Sequence, residues 1–456
     1  MNLPLFIVSL FLSQLVCLWI GKRSAKGMKG QDDYFLAKRS VRFFPLMMTF
    51  VATQIGGGLV LGAADEAYLY GWSVLYYPLG TSVGLILLGL GCGKKLHSLN
   101  LGTVAEIFEV KYGSSFLRKV ASSLSILSLF MIFVAQLIAS KKFMIALGLD
   151  SSLCFNAFWA IVILYTAIGG LKAVISTDIF QALAFITIFI LCLCISLNNL
   201  PISVTTVITK GFSLSSSQGN ILKSTKFFGW MFMPLLFMLI EQDMGQRCFA
   251  GNSYKTVAKS TVVAAICILL FSCIPIFFGI LAKTLGLSLT GNESILMKVM
   301  QSMTNPYICA LFACGILLVI ISTADALINA IGSNLTLDFP FFKRKSIALS
   351  KFMSISFAYL GVFFSYFFKN IVDVLIQSYE LSISCLLVPI VIALFKKQNH
   401  PLPAALSILF GAIGFTLFRW VPLEGVPKEF LSICLSLIGF TVGSFATRLF
   451  YDRIRN

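Results

Sequence analysis

Charge is scarce in this sequence. Asp, Glu, Lys and Arg make up only 12% of its 456 residues, while 58% are apolar; a soluble domain carries roughly 25% charged and 45–50% apolar residues. With a mean hydropathy of +0.92, the chain has too little polar material to cover itself with a wetted surface, which excludes a soluble globular protein. Histidine is scarcer still. His97 and His400 are the only two, both in expected loops, so His-based metal centres and most general-base chemistry are excluded. The twelve cysteines form no C-x-x-C pair. The nearest two, Cys192 and Cys194, point apart on an expected helix, so no disulfide framework is read. Acidic residues are outnumbered, 18 against 35 basic, for a formal charge of +17. The N-terminal stretch Met1–Ile20 lacks both a basic start and a small-x-small cleavage site, so it reads as a first spanning helix and not as a signal peptide. Missing too are Gly-x-Gly-Asp or Gly-x-Ser-Gly motifs and His pairs in helices, which leaves a membrane-embedded enzyme without machinery.

What is present is a succession of apolar runs. About thirteen spans of about twenty residues would account for the apolar content, and the chain is read as an all-α polytopic membrane protein. Most basic residues then fall in segments on one side: Lys22 to Arg42, Lys94 to Lys119, Arg247 to Lys259, Lys343 to Lys351 and Arg448 to Arg455. This is the positive-inside pattern. It places the N-terminus outside and the C-terminus in the cytoplasm, and it explains the +17 as topology, without a nucleic-acid partner. The expected organisation is a first helix and basic loop (residues 1–42), a five-helix unit (43–197), an external loop (198–226), a second five-helix unit (227–395) and two closing helices with a tail (396–456). The Ser-rich external segment reads as a flexible loop.

Two expected helices are unusual. The second contains Gln54-Ile55-Gly56-Gly57-Gly58, with Gly62 following. Each glycine weakens a helix by roughly 1 kcal/mol relative to Ala, and clustered glycines fit an unwound, cavity-lining segment better than a spaced packing seam. The seventh runs apolar only over Phe227–Ile240, with Pro234 inside, and then meets Glu241, Gln242, Asp243 and Arg247. At 1.5 Å per residue that run is too short for a hydrocarbon core of about 30 Å. Either the helix ends early or its acids lie within the membrane; Asp243, four residues before Arg247, is placed to pair with it. These interrupted helices stand five apart, so the second unit is inverted relative to the first, the pattern of inverted-repeat transporters. In the ninth, Ser322, Asp325, Asn329, Ser333 and Thr336 share one side, with Thr323 at its edge. An intramembrane carboxylate favours an aqueous cavity there over a plain helix contact. Gly169 and Gly170 read as a helix end, and Thr177 or Asp178 as the cap of the next helix.

Taken together, these runs resemble the sodium/solute symporter family, which includes sodium-coupled transporters of proline, glucose, pantothenate, sialic acid and choline. The most specific match is Gly169–Gln181, reading Gly-Gly-Leu-Lys-Ala-Val-x-x-Thr-Asp-x-x-Gln. Gln54–Gly62 is similar to the family's broken first core helix, Glu241–Arg247 to the sixth, and Ser322-Thr323-Ala324-Asp325 to the eighth. The resemblance implies a LeuT-type 5+5 inverted repeat with extra flanking helices, no enzymatic activity, no cofactor, and Na+ as the coupling ion. It implies a sodium site made by the main-chain carbonyls of Ala52, Ile55 and Val319 and the hydroxyls of Ser322 and Thr323. The acid matching Asp178 would lie on the ion's cytoplasmic release path.

For the substrate, Gly56–Gly58 and Ser322–Asp325 look nearest to the choline-transporting branch, whose tryptophans cage a quaternary amine. At two cage positions this chain has Gln54 and Glu241, and a cation–π cage needs aromatic faces. The candidate substrate residues are Gln54, Gly56, Gly57, Gly58, Glu241 and Asp325. Glu241 could pair with an amine, take a proton or anchor hydroxyls. Trp72, Tyr76 and Tyr77 read as interfacial aromatics in preference to pocket walls. The expected function is sodium-coupled import of a small polar organic solute by alternating access, in a plasma membrane, with a bacterial inner membrane favoured. The expected partners are the solute and the lipid bilayer, with no obligate protein partner. The alternatives are a proton-coupled carrier on the same fold, with Glu241 or Asp325 titrating, and a transporter-like solute sensor; no output domain is expected after Asn456.

Overall fold

Polar residues at the right places start the long helices. Asn2, Ser114, Ser151, Ser253 and Asn305 each sit in extended backbone, and their side chains accept main-chain N–H groups of the first turn that follows. The donors are Leu5, Leu117, Cys154, Thr256 and, for Asn305, both Tyr307 and Ile308, at 2.9–3.4 Å. Each cap satisfies a group that would otherwise be orphaned at the helix end. In this computed structural model, residues 1–26, 30–217, 225–287, 294–339, 347–367, 371–396, 400–421 and 426–455 are described.

The principal helices are α1 (Leu3–Ser24), α2 (Phe43–Gln54), α3 (Ala63–Tyr70), α4 (Tyr76–Leu87), α5 (Ser115–Ala146), α6 (Ser152–Asn198), α7 (Thr225–Phe237), α8 (Gln242–Ala250), α9 (Tyr254–Thr284), α10 (Pro306–Leu337), α11 (Ile347–Phe364), α12 (Ile371–Ser382), α13 (Val388–Phe395), α14 (Leu402–Trp420) and α15 (Lys428–Arg455). The described residues contain no strand; Val41 and Gly251 make an isolated bridge. Ten helices among the described residues are long and apolar enough to cross a membrane. The chain is a multi-pass membrane protein. Burial separates their roles. The membrane window of α10 is 83% buried, against 28% for α1 and α15. α10 is therefore the central post, packed against α5, α6 and α11, and the outer helices present their apolar sides outward.

The expected helix breaks are observed, with one further detail. α2 stops at Gln54, and a wide turn over Gly58–Gly62 leads into α3. α7 stops at Phe237, and the chain resumes as α8 at Gln242. α6 runs as one element over 47 residues but turns at Gly170, whose φ of 55° and ψ of −159° suit glycine alone. A side chain there would also strike the carbonyl of Tyr34, at 2.3 Å from its Cβ.

Two expectations change. The segment over residues 198–226, expected to be an external flexible loop, contains a helix at Val204–Ser217; residues 218–224 of that segment lie outside the described residues. Its Ser-rich composition hides a helical period: Val207, Gly211 and Leu214 are buried on one side. Trp72 donates to the carbonyl of Ile208 at 3.2 Å, and Ser215 donates to that of Tyr70 at 3.1 Å. The polar stripe of α10, expected to face water, is met by protein. Gln246 of α8 donates to Asn329 at 3.0 Å and Gln242 donates to Ser333 at 3.0 Å. Two amides from a broken helix satisfy what would otherwise require solvent.

The C-terminal end of α10 is clamped by charge. Asp338, one residue past α10, accepts from Arg118 at 2.8 Å and from Thr103 at 2.6 Å. Burial pushes its carboxyl up to about 6, against the pull of Arg118 and Thr103.

Candidate ion and solute site

The α2 break rearranges main-chain partners in a specific way. In a continuous helix, the N–H groups of Gly56 and Gly57 would serve the carbonyls of Ala52 and Thr53. Here the Gly56 N–H donates to the carbonyl of Gln54 at 3.1 Å. The Gly57 N–H donates to Oε1 of Gln136, on α5, at 2.9 Å. The Ala52 and Thr53 carbonyls are thus freed, and α10 takes them up. The Ser322 hydroxyl lies 2.9 Å from the carbonyl oxygens of both Ala52 and Val319. The Thr323 hydroxyl lies 3.0 Å from that of Thr53 and 3.4 Å from that of Ile55. All five residues named from the sequence as ion ligands meet in one cluster, joined by Thr53. The cluster is built of neutral, hard oxygen atoms without a carboxylate, a donor set suited to a small alkali cation. Gly56 is required by this closeness: a Cβ there would sit 2.8 Å from the Thr323 hydroxyl and 3.3 Å from Oε1 of Gln136.

Beside this cluster lies a predominantly polar cavity between the two breaks. Its walls include Thr53, Gln54, Gly56, Gly58, Gln136, Glu241, Asp243, Thr323, Tyr77 and Tyr379. Its space open to water is about 30 Å³, room for about one or two molecules. Glu241 occupies the position just before α8 and is 6% exposed. Its Oε2 and the Oδ2 of Asp243 are buried without hydrogen-bond partners, while Oδ1 of Asp243 accepts the N–H of Met244 at 2.8 Å.

The remaining candidates are placed differently. Gly57 meets Gln136 and is not among the wall residues. Asp325 points the other way, accepting from Tyr165 at 2.8 Å and Thr166 at 2.5 Å, both on α6. Asp178 is wholly buried in the second half of α6. It accepts from Thr49 of α2 and faces Arg247 of α8 at 3.5 Å. Arg247 also donates to Thr49 at 3.0 Å and to the main-chain carbonyl of Asp243 at 3.0 Å. Its ion pair is therefore with Asp178; the Asp243 carboxylate, expected to pair with it, turns to its own helix start and the cavity.

Several wall residues were not named from the sequence. Gln136 was signalled only as a lone amide inside an apolar run. Tyr77 was read as interfacial yet lines the cavity, whereas Trp72 and Tyr76 do not. Tyr379 packs on Phe237, ring centres 4.5 Å apart and planes tilted by 35°, and carries no local signal of its role. Tyr77, Tyr379, Leu375 and Gly58 also line a second, apolar cavity toward Glu66 and Trp230, so they form the partition between the two spaces.

Comparison with known proteins places this arrangement. The sequence model of the sodium:solute symporter family matches residues 34–408. The sodium/proline symporter of Haemophilus influenzae is 25% identical, covering 91% of this chain and 88% of its own. The sodium/pantothenate symporter of the same organism is 24% identical over 64% of this chain and 63% of its own. The human sodium/iodide cotransporter is 26% identical over 40% of this chain. The chain spans 28% of that cotransporter's length and less than two thirds of the pantothenate symporter's. Among solved structures, a Na+-coupled sialic acid symporter in a substrate-bound outward-open state superposes with a TM-score of 0.78 at 15% identity, covering 97% of each chain. Mhp1, a nucleobase-cation-symport-1 family transporter, superposes at 0.59 with 14% identity, covering 90% of this chain and 94% of that one. These likenesses show a LeuT-type fold.

Proposed function

The chain belongs to the sodium:solute symporter family, a family of transporters and not of enzymes, and from that premise we propose that it imports a small polar organic solute together with sodium by alternating access. The observation that carries this reading is the meeting of the Ala52, Ile55 and Val319 carbonyls with the Ser322 and Thr323 hydroxyls at the α2 break. Sodium would be held there, drawing on carbonyls that a continuous helix would occupy. On binding, the two hydroxyls would turn their lone pairs to the ion and fasten α2 to α10. The solute would enter the adjoining cavity as opening widens it beyond its present room for one or two waters, against Gln54, Gly56, Gly58 and Glu241, with Gly57 holding its backbone through Gln136. Asp325 would support the site from behind by fixing α10 to α6. Asp178 would lie on the ion's route to the cytoplasm.

The two partitions supply the alternation. Tyr77, Leu375 and Tyr379 close the cavity on the α7 side; Thr49, Asp178 and Arg247, with the Gln242 and Gln246 amides, close the other. Opening one while the other stays shut is the physical content of the cycle. One positive charge moving inward through about 100 mV yields about 2.3 kcal/mol, enough for a gradient of roughly fifty-fold. Linkage then requires that sodium tighten solute binding and that solute tighten sodium binding equally. In the membrane, the proposed layout has the N-terminus outside and the C-terminus in the cytoplasm of a bacterial inner-membrane carrier, acting without an obligate protein partner. Thirteen spans result if α2 with α3, α7 with α8 and α12 with α13 each count as one span and α6 is divided at Gly170.

The test is a thermal-shift titration of the purified protein with NaCl, balanced by KCl at constant ionic strength. Saturable stabilisation by sodium alone is expected. Indifference to sodium, with solute uptake following pH, would replace this reading with a proton-coupled carrier. The Gly56→Ala variant is expected to need at least about tenfold more sodium in the same titration, because its methyl group displaces the Thr323 hydroxyl; about tenfold corresponds to one charge-assisted contact. An unchanged titration would remove Thr323 from the site.

A further inference from the structure

The charges around the solute cavity do not balance, and the imbalance has a definite sign. Glu241 and Asp243 line it, and no Lys, Arg or His does among the described residues. Arg247 lies outside the cavity wall, hydrogen-bonded to Thr49 and the Asp243 carbonyl, with its Nη2 3.5 Å from Asp178. Each acid keeps one buried oxygen, Oε2 of Glu241 and Oδ2 of Asp243, with no donor. The two carboxyl groups lie within hydrogen-bonding reach of each other, and Gln54 reaches Glu241, so one proton held between them meets part of the cost of burying two acids, and N–H groups of a solute would meet the rest.

The geometry also disfavours an anionic group. Main-chain N–H groups at the start of a helical segment are the usual seat for a carboxylate. At the segment that resumes after Gly56, the Gly57 N–H is taken by Oε1 of Gln136, so an oxygen of this chain already fills that seat. A quaternary amine would need aromatic faces on several sides and could not donate to the orphaned oxygens. The cavity offers two rings, Tyr77 and Tyr379, beside two acids. That combination suits a cation with N–H groups, which carboxylates bind through short charge-assisted hydrogen bonds.

We propose that the solute carried at this site is a small organic cation bearing N–H donors, a protonated primary amine or a guanidinium, with its charge on Glu241 and Asp243 and its apolar part against Tyr77 and Tyr379. The assignment rests on the symport reading for the location of the site. It also adds a consequence: with one sodium ion, each inward cycle moves two positive charges for a monovalent solute and three for a divalent one.

The test uses the full-length purified protein and three probes, ethanolamine, 1,4-diaminobutane and agmatine, against 1,4-butanediol and succinate as neutral and anionic comparators. Each is titrated in sodium and in potassium, with melting temperature as the readout. At least one of the three cations is expected to stabilise in sodium while the diol and the diacid do not. Glu241→Gln should weaken that cation by about tenfold or more and leave the half-saturating sodium concentration measured without any cation unchanged. Glu241→Asp, which keeps the charge, should retain measurable cation binding, and it guards against a Gln variant that fails to fold. Three results would overturn the proposal: stabilisation by the diol or diacid equal to that by the cations, a Glu241→Gln protein binding the cation as the wild type does, or a sodium response to which none of the three cations adds. Cation binding indifferent to sodium would support the solute class while refuting the sodium coupling, so the two claims fail separately.

Discussion

Ser322→Ala combined with Thr323→Ala is expected to raise the sodium concentration giving half-maximal stabilisation by about a hundredfold or more. The two hydroxyls are the only side-chain oxygens in the proposed ion cluster; the rest is backbone that substitution cannot remove. A contact from a neutral donor atom to a charge contributes roughly 1.5–3 kcal/mol. Losing two therefore costs about 3–6 kcal/mol of ion binding, at about 1.4 kcal/mol per factor of ten. Thr323→Ser, which keeps the oxygen and drops a methyl, should stay close to the wild type. The measurement is a sodium titration of melting temperature at fixed ionic strength. A double variant that responds to sodium like the parent would show that the ion binds elsewhere.

Arg247→Met is expected to destabilise the protein by about 3–5 kcal/mol, the cost of leaving a buried charge without its partner. Arg247 and Asp178 are both wholly buried, on α8 and the second half of α6, and Thr49 of α2 touches both. Removing the guanidinium strands the Asp178 carboxylate, whose Oδ1 already lacks a donor. The double variant Arg247→Met, Asp178→Asn removes both charges and should recover much of the loss. Melting temperatures of the parent, both single variants and the double variant complete the cycle and isolate the coupling. If Arg247→Met melts with the parent, the pair holds nothing together. If the double variant is as unstable as the single one, the loss comes from packing and not from a stranded charge.

Much of this architecture could be read before any coordinates, and the reasons are local. Uninterrupted apolar runs, glycine clusters and caps such as Ser114 or Asn305 act within a turn or two of themselves, so the helices and the breaks at Gly56 and before Gln242 are legible from order alone. The contacts between α2 and Ser322 and Thr323 were legible for a different reason, since the resemblance of Gln54–Gly62 and Ser322–Asp325 to one family tied together segments far apart in sequence. What stayed hidden depends on partners across the molecule. The buried period of Val207, Gly211 and Leu214 was masked by neighbouring serines. The spacing of Asp243 and Arg247 suggested a pair, but Asp178 is closer in space once α6 turns at Gly170. Asp325 and Glu241 looked alike as intramembrane acids. One is satisfied by Tyr165 and Thr166, while the other keeps an oxygen without a donor, and no spacing rule distinguishes those cases. Gln136, Tyr77 and Tyr379 come from three elements and converge only in the fold.

The most direct test of the central claim is equilibrium binding of radioactive sodium to the purified protein, with potassium holding ionic strength constant. Saturable, sodium-selective binding that disappears in the Ser322→Ala, Thr323→Ala double variant is the predicted result. No saturable binding, or binding that survives the double substitution, would contradict a sodium site at the α2 break.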